Sequence, residues 1–416
     1  MQRMMNVSAL ALLAAMTVTT ANAQSIVNTA GERMSADHAP MGVKAGSFLI
    51  IPKAEVDVTH SDNIYATTNN TESDMITSVR PELKAKSNWS RHALNAMARY
   101  EALRYNDNRS ENQHNYMLAA DGRVDVMRDT SIGGGVSFAR DHEDRGNPNS
   151  NASNSKPVEY TTSIARLGAY RGLGRANVRF DTEAKKLDYK NGYTSAGGFV
   201  DNGLRDRDEY TNSLRLGWQF DPRFEGFVKG TMDTRNYKRD SGAGYVNRGN
   251  NGSSLVAGTT FDVSGKTKGE VFAGVVERNY NNPTFKDISE PTWGGKVTWN
   301  FSELTSVIAG VDRTIEETTI GASSGYVSTA YTAKVEHALT RDVLLSGNVG
   351  YTENEYKGTA ANQRQDDIIS AGVGADYYLG KNFKVGAGYT YQDRDSSVNS
   401  GDFDRNMLML RLTATY

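Results

Sequence analysis

The sequence contains no cysteine and few prolines, and its apolar content is low for its length. Of its 416 residues none is Cys, 8 are Pro and 38% are hydrophobic. The lack of cysteine excludes a disulfide framework, thiolate-ligated zinc or iron–sulfur centres, and thiol catalysis. The formal net charge of −2 lacks the basic excess of nucleic-acid-binding proteins, so no nucleic-acid partner is expected. Beyond Ala23 no apolar run is long enough for a transmembrane helix, which excludes a helical integral-membrane protein.

Residues 1–23 have the layout of a cleaved export signal. A basic residue precedes an apolar stretch from Val7 to Val18, and Ala21-Asn22-Ala23 forms a small-residue cleavage site. The apolar stretch is little more than half of the about 20 residues that a spanning helix needs. We therefore predict a signal peptide cleaved before Gln24. The following segment, 24–45, is predicted to be a periplasmic tail, a plug or a partner contact.

The rest of the chain alternates between apolar and polar residues with a period of two. Near the C-terminus, Leu408, Leu410 and Leu412 lie on one parity, and Arg405 and Arg411 lie on the other. The same split recurs in the segments 213–220, 293–301, 327–336 and 383–392. Such alternation indicates β-strands with two different faces, and stripes at helical spacing are absent.

Short polar breaks separate these strands in pairs at a hairpin-sized interval. The breaks are at 88–90, 128–130, 172–174, 221–223, 264–266, 301–303, 340–342 and 380–382. Between them lie longer segments rich in Asn, Asp, Gly and Ser, which are loop compositions. These include Asp141–Pro157, Asn191–Arg205, Tyr237–Ser253 and Gly358–Gln365.

Eight tight turns and nine longer loops predict eighteen strands. We predict an all-β fold, a single transmembrane antiparallel β-barrel over 46–416, with short periplasmic turns and long extracellular loops. This layout places the chain in the outer membrane of a Gram-negative bacterium, in contact with lipid. A β-sandwich or propeller would need a dry second face, whereas the second face of these strands is charged.

The charged parity is predicted to line the barrel interior. The lumen-facing residues predicted on a substrate path are Lys53, Arg80, Lys84, Arg99, Glu101, Arg123, Arg179, Arg215, Lys229 and Lys334. Both signs of charge are present, which argues against a strongly selective anion or cation pore. The face is either a hydrated conduit for a polar solute such as a sugar chain, or a solvated, salt-bridged wall without ligand preference.

The sequence offers no catalytic site. Its 6 His residues are scattered and no pair has metal-ligand spacing. The stretch Asp141 to Asp144, which surrounds His142, is interpreted as part of a charged loop because no matched nucleophile can be placed beside it. We therefore expect no enzymatic activity, no metal and no cofactor.

Several motifs resemble an outer-membrane β-barrel porin family associated with exopolysaccharide biosynthesis gene clusters. The segment Ser61 to Thr67, with Asp62, Asn63, Ile64 and Tyr65 at its centre, is similar to the signature of that family. Further similarity lies in 46–52, Arg80-Pro81, 87–94 and 141–148. The C-terminal Tyr416, preceded by apolar residues at every second position, resembles the signal by which the outer-membrane assembly machinery recognises barrels.

This resemblance implies a channel that assists export of an exopolysaccharide across the outer membrane. Polysaccharide-export proteins and a polysaccharide are the partners that it implies. The family offers no established catalytic or ligand residues. Two alternatives remain open at this stage. One is a general or sugar-uptake porin, and the other is a non-conducting structural or surface-recognition barrel.

Overall fold

The computed structural model describes residues 29–150, 153–241, 245–321, 323–358, 364–398 and 401–416, and the expected signal peptide over 1–23 lies outside them. The strands are β1 (Phe48–Ser61), β2 (Asp74–Ser87), β3 (Ala93–Tyr105), β4 (Gln113–Met127), β5 (Thr130–His142), β6 (Glu159–Leu173), β7 (Ala176–Tyr189), β8 (Arg207–Asp221), β9 (Phe224–Tyr237), β10 (Asn250–Val263), β11 (Thr267–Tyr280), β12 (Ile288–Asn300), β13 (Thr305–Glu316), β14 (Ser323–Ala338), β15 (Val343–Gly358), β16 (Gln365–Leu379), β17 (Phe383–Ser396) and β18 (Phe403–Thr415).

A few shorter elements accompany the barrel. Helix α1 (Ala30–Asp37) precedes it, and the segments Arg109–Glu111 and Asn202–Arg205 are single 3₁₀ turns. Val43–Ala45 pairs with the start of β1, and Gly192–Tyr193 pairs with Phe199–Val200. No helix among the described residues is long and apolar enough to cross a membrane.

The eighteen strands form one closed antiparallel barrel. Each strand pairs with its neighbours in sequence, and β1 closes the ring by pairing with β18 from Lys53 opposite Thr415 to Ser61 opposite Met407. Closure leaves no open edge, so the backbone N–H and C=O groups are satisfied between strands, as lipid requires. The sequence prediction of eighteen strands joined by eight short turns is confirmed.

The tight turns use residues that tolerate left-handed backbone conformations. Between β10 and β11, Ser264 has φ 58° and Gly265 has φ 66°. The three residues 264–266 join Val263 to its ladder partner Thr267, so the chain reverses its direction within them. The break predicted at 264–266 is therefore a hairpin turn.

The outer face of the barrel is apolar. Large side chains such as Leu214, Leu216, Leu408 and Leu410 are about half exposed on the isolated chain, as expected for residues that contact lipid. Exposed aromatic residues follow the periplasmic ends of the strands, where they form an interfacial girdle. They are Trp218, Phe220, Trp299, Phe301, Tyr377, Phe383 and Tyr416.

One junction of the barrel departs from this pattern. The ladder between β12 and β13 ends where Gly294 pairs with Asp312, although β13 and β14 stay paired up to Glu316. Beyond that point Ile315 and Val327 pack with three side chains of the β11–β12 hairpin, namely Tyr280, Phe285 and Ile288. In the alternating segment 327–336 the parity of Val327 predicts a lipid-facing side chain, and this prediction is wrong. Val327 is 1% exposed, because side-chain packing replaces the backbone ladder there.

The N-terminal segment is described from Thr29 onwards and lies against the inner wall near the periplasmic turns. Thr29 and Glu32 form a capping box at the start of α1. The next two backbone N–H groups of the helix donate to the barrel, from Ala30 to Ser306 Oγ (2.7 Å) and from Gly31 to Glu336 Oε2 (2.9 Å). A carboxylate at a helix N-terminus is favourable because it faces the positive end of the helix dipole.

Candidate functional site: the inner wall and the extracellular mouth

The inner wall at β18, β1, β2 and β3 carries a compact ionic network centred on Arg80. The guanidinium donates to Glu55 (2.5 Å), to Asp57 and to Glu101 (3.2 Å). Arg411 on β18 donates to Asp57 from the other side (2.8 Å). These strands are neighbours, so their inward side chains meet across the ladders and across the closing seam of the barrel.

Five of the ten residues predicted on the substrate path lie on these strands. Arg80 and Glu101 are part of the network, and Lys53 joins it through Glu55 (2.9 Å). Lys84 and Arg99 share Glu82, at 2.8 Å and 3.9 Å. The structure therefore brings these five side chains close together on one side of the wall.

The other five are spread around the ring. Arg123 pairs with Asp125 (2.9 Å), Arg179 with Asp181 (2.8 Å) and Lys334 with Glu336 (2.6 Å). Arg215 contacts Glu225 (3.0 Å) and Glu270 (3.3 Å), and Lys229 lies opposite it in the β8–β9 ladder.

The ionic network on β1 to β3 is buried, whereas the sequence predicts that its residues line a hydrated interior. Arg80 is 8% exposed, and the carboxylates of Glu55, Asp57 and Glu101 are buried. Strand parity fixes which way a side chain points, but the local density of neighbours decides whether water reaches it. At this part of the wall the charges satisfy one another.

The extracellular mouth is crossed by the loop between β5 and β6, which we call the crossing loop and which the structure describes over residues 143–150 and 153–158. Its Asp144 accepts from Arg405 on β18 (3.3 Å), and the carbonyl of Gly146 accepts from Arg394 on β17 (3.1 Å). Asn149 accepts from the backbone N–H of Thr319 (3.0 Å). Thr319 lies in the β13–β14 loop, eight strands around the barrel from the origin of the crossing loop.

Arg145 anchors the crossing loop to the β3–β4 loop. Its guanidinium makes two hydrogen bonds to the Glu111 carboxylate, at 2.6 Å and 2.9 Å. A third bond reaches the carbonyl of Asn154 (2.8 Å). Glu111 is 1% and Arg145 8% exposed, so this is a buried bidentate pair of the strong kind.

Two of the motifs that resemble the family, 61–67 and 141–148, meet at this point. Arg145 lies over the ring of Tyr65, 5.4 Å from its centroid, and the Tyr65 hydroxyl donates to Asn108 (3.0 Å). Asn63 donates from its amide to the carbonyls of Thr67 and Asp404, both at 2.8 Å. The family motif therefore folds its own loop, 62–73, against the crossing loop and against β18.

We expect Asn63→Ala to destabilise the first extracellular loop. The substitution removes the amide that donates to the carbonyls of Thr67 and Asp404, and each partly buried hydrogen bond contributes about 0.5–1.5 kcal/mol. Urea unfolding of the refolded barrel, followed by tryptophan fluorescence, measures this loss. Asn281→Ala, at an exposed loop position, is the control and should leave the midpoint unchanged. Equal midpoints for the two variants would contradict a structural role for the motif.

Arginines paired with aromatic rings surround the mouth on the inside. Guanidinium carbons lie over Tyr189, Tyr237, Tyr356 and Phe403, at 4.1 to 5.6 Å from the ring centroids. Their arginines are Arg205, Arg207, Arg364 and Arg394. Such pairs combine a flat apolar surface with hydrogen-bond donors that are not easily deprotonated.

Glu317 holds the far side of the mouth. It accepts from Arg235 (2.5 Å), from the hydroxyl of Tyr237 (2.9 Å) and from Asn250 (3.0 Å). Burial opposes ionisation of the carboxyl, but the neighbouring Arg235 and Arg207 outweigh it and hold the pKa of Glu317 below its ordinary value. The contact is therefore complete at neutral pH.

Acidification should release this side of the mouth. Because the pKa of Glu317 is lower in the folded loop than its ordinary value of 4.5, its contribution is present above about pH 4.5 and is lost as the pH falls through the folded pKa. A nitroxide on Gly321→Cys should become more mobile over that range. With Glu317→Gln the label should be mobile at neutral pH as well. If the label in Glu317→Gln were as immobile at pH 7 as in the wild-type chain, this role would be contradicted.

His142 is not placed as the sequence indicates. Asp141 and His142 belong to the end of β5 rather than to the loop, and only Glu143 and Asp144 lie in it. Nδ1 of His142 lies 3.1 Å from the amide oxygen of Asn115. No cluster of three or more potential metal ligands occurs among the described residues.

The crossing loop and α1 have only weak sequence signals. Thr29-Ala30-Gly31-Glu32 is a capping-box pattern, which marks a helix start and could have revealed α1. The partners of the crossing loop are far away along the chain, and no local pattern indicates them. Arg145 itself lies inside a motif that resembles the family, but its partner Glu111 does not.

The profile of the family described as Putative beta-barrel porin 2 matches residues 36–416. The chain belongs to this family. Family membership and the closed eighteen-stranded barrel make the protein an integral outer-membrane protein with a porin-like or channel-like fold. Its outer face is accordingly in contact with lipid.

Solved outer-membrane structures are similar in outline. The copper transporter OprC aligns at 10% identity and a TM-score of 0.49, covering 90% of this chain and 81% of that one. OccK3 (OpdO) of Pseudomonas aeruginosa aligns at 11% identity with a TM-score of 0.46, and the alignment covers 88% of this chain and 96% of that one. The siderophore receptor PiuA of Acinetobacter baumannii aligns at 10% identity with a TM-score of 0.49, and the alignment covers 90% of this chain and 82% of that one. No curated protein matches the sequence significantly.

Proposed function

We propose that this porin-family barrel is a channel that assists export of an exopolysaccharide across the outer membrane. The observation that carries the proposal is the inner surface itself. Arginine–aromatic pairs surround the mouth, and the wall below them carries both signs of charge in contact with each other. A hydroxyl-rich polymer can stack its sugar faces on such rings and exchange hydrogen bonds with such a wall.

The charge of the wall bears on the class of polymer. Nine of the ten proposed path residues are basic or acidic groups with an opposite charge within 4 Å, and Lys229 lies in the ladder beside Arg215. A wall compensated in this way gives little attraction to a densely anionic chain. We therefore propose a neutral or weakly charged polysaccharide as cargo.

Polymer secretion in a deletion strain tests the proposal. The strain should retain polysaccharide in the periplasm, and the wild-type chain should restore its release. Tyr189→Ala with Tyr237→Ala should restore release less well, because both rings lie inside the mouth. Tyr210→Ala, on the outer face, is the matched control and should restore it fully. Normal secretion by the deletion strain would refute the export role.

A second candidate is a barrel that does not conduct. The crossing loop favours it, since that loop is fixed to three other parts of the mouth, by buried contacts of Arg145 and Gly146 and by an exposed hydrogen bond of Asn149. The third candidate, a general or sugar-uptake porin, would show open-channel conductance that sugars block. Planar-bilayer recordings of the purified chain distinguish the candidates, and no catalytic role is proposed for any of them.

Further partners follow from the same proposal. Periplasmic polysaccharide-export proteins would deliver the polymer near α1 and the periplasmic turns. Tyr416 would present the terminal aromatic residue to the assembly machinery of the outer membrane. Its ring is exposed, and its backbone N–H donates to the carbonyl of Pro52 on β1 (3.1 Å).

A further inference from the structure

The outer face of the barrel contains an apolar groove that extends from β17 and β18 across the closing seam to β5. Two adjoining depressions, of about 880 Å³ and 460 Å³, share Leu83, Ala98 and Leu118 in their lining. Strand register creates the shape. Ala85 lies opposite Ala96, which in turn lies opposite Ala120, so three neighbouring strands present only methyl groups at one level.

Taller side chains bound this groove. Leu83 and Leu118 stand beside the alanines, and Phe138 forms the wall on the β5 side. The upper boundary is formed by Tyr100 and Tyr116, which are paired across the β3–β4 ladder. The groove therefore has an apolar floor, apolar sides and an end of two tyrosines that points toward the extracellular rim.

A cationic cluster lies directly beyond the two tyrosines on the same outer face. Nη2 of Arg104 lies 2.8 Å from Nε2 of His114, and Nη1 donates to the carbonyl of Leu103 (3.2 Å). Nδ1 of His114 in turn contacts the hydroxyl of Tyr100. Both Arg104 and His114 are exposed.

The neighbouring strands add positive charge. Arg140 lies opposite Tyr116 in the β4–β5 ladder. Arg140 (2.6 Å) and Lys190 (2.7 Å) share the single carboxylate of Glu159. With Arg104, three cations face one carboxylate at this part of the rim, so the cluster has an excess of positive charge at the level of lipid head groups.

We propose that this groove and cluster form a binding site for a phosphate-bearing lipid of the outer leaflet whose head group has a net negative charge. Its acyl chain would lie in the alanine-floored groove, and its phosphate would accept hydrogen bonds from Arg104 and the Tyr100–His114 pair. Arginine is suited to this because its planar guanidinium matches phosphate oxygens and carries a permanent charge. The site lies on the outer face and is independent of any transport role.

Lipid binding to the purified full-length chain tests the proposal. Native mass spectrometry would compare retention of lipid A, phosphatidylglycerol and phosphatidylcholine of matched chain length. We expect the two phosphate-bearing anionic lipids to be retained about tenfold better than phosphatidylcholine, as loss of one charge-assisted contact corresponds to about 1.4 kcal/mol. Equal retention of all three lipids would overturn the proposal.

Two variants test the two halves of the site. Arg104→Gln removes the cation and should lower retention of the anionic lipids about tenfold. Ala96→Leu fills the floor and should lower retention with the cation intact. Arg223→Gln, at an exposed periplasmic turn, is the control and should bind as wild type. Heat-dependent gel mobility confirms that each variant is folded.

Competition separates a lipid site from a plain anion site. Inorganic phosphate at millimolar concentration should not displace the bound lipid, because the chain in the groove contributes to binding. Displacement by free phosphate, or unchanged lipid retention in Ala96→Leu, would show that the groove plays no part and would overturn the proposal. Unchanged retention in Arg104→Gln would overturn it as well.

Discussion

Replacing Arg145 with alanine should open the extracellular mouth. The substitution leaves the Glu111 carboxylate buried without its cation, and breaking a buried pair in this way costs about 3–5 kcal/mol. This cost destabilises the docked conformation of the crossing loop, because the Glu111 carboxylate is hydrated again once the loop moves away. We expect single-channel conductance in planar bilayers to rise severalfold over wild type.

A matched control is available in a neighbouring loop. Arg239 also pairs with a carboxylate at the mouth, Asp201, but its side chain is 50% exposed. Since exposed pairs contribute about 0–1 kcal/mol, Arg239→Ala should conduct as wild type does. If Arg145→Ala and Arg239→Ala gave the same conductance as wild type, the crossing loop would not control access to the lumen.

Replacing Arg80 with alanine should destabilise the barrel wall itself. Three buried carboxylates, those of Glu55, Asp57 and Glu101, lose the cation that they share. Arg411 and Lys53 still contact Asp57 and Glu55, so Glu101 is the carboxylate whose contact with Arg80 neither of them replaces. We expect the free energy of unfolding to fall by about 3–5 kcal/mol, measured by urea unfolding in lipid.

Two further variants separate charge from packing. Arg80→Met with Glu101→Gln keeps most of the side-chain volume and removes the buried carboxylate that loses its Arg80 contact, so it should recover much of the lost stability. Arg179→Ala removes an arginine from a wall pair in which both side chains are at least 27% exposed, and it should cost about 1 kcal/mol or less. Equal losses for Arg80→Ala and Arg179→Ala would contradict the role of the network.

The period-two pattern predicted most of the fold. Each of the eight polar breaks corresponds to a periplasmic turn, and the strands between them have 12 to 16 residues. This success has a physical reason, because a strand between lipid and an aqueous or polar interior must alternate along its whole length. This alternation alone predicts that Leu214 faces lipid and that Arg215 faces the interior.

The remaining features depend on contacts that alternation does not encode. Val327 has the parity of a lipid-facing residue but is buried, since the β12–β13 ladder ends below it. Arg394 and Gly146 are 248 residues apart along the chain, and no local pattern connects them. Parity also places Arg80 inside the barrel without showing that its surroundings are dry.

Alternation likewise predicted only part of the candidate site, because it gives the direction of a side chain but not its contacts. The sequence identified polar residues of one parity, and the structure joins Lys53, Arg80 and Glu101 through the shared carboxylate and guanidinium groups of one network. Their role in transport stays a prediction. The contacts of the crossing loop with the β3–β4 loop, β17, β18 and the β13–β14 loop were not anticipated, because loop conformation depends on its docking partners rather than on its composition.

Single-cysteine labelling tests the central claim most directly, since the chain has no native Cys. Cysteines introduced at Arg179, Arg215 and Lys334 should react with a membrane-impermeant maleimide. Fluorophores attached to cysteines at Leu214, Val297 and Leu408 should be quenched only by a quencher in the lipid phase. Labelling of the first group from lipid, and of the second from water, would contradict a barrel whose charged parity faces an aqueous interior.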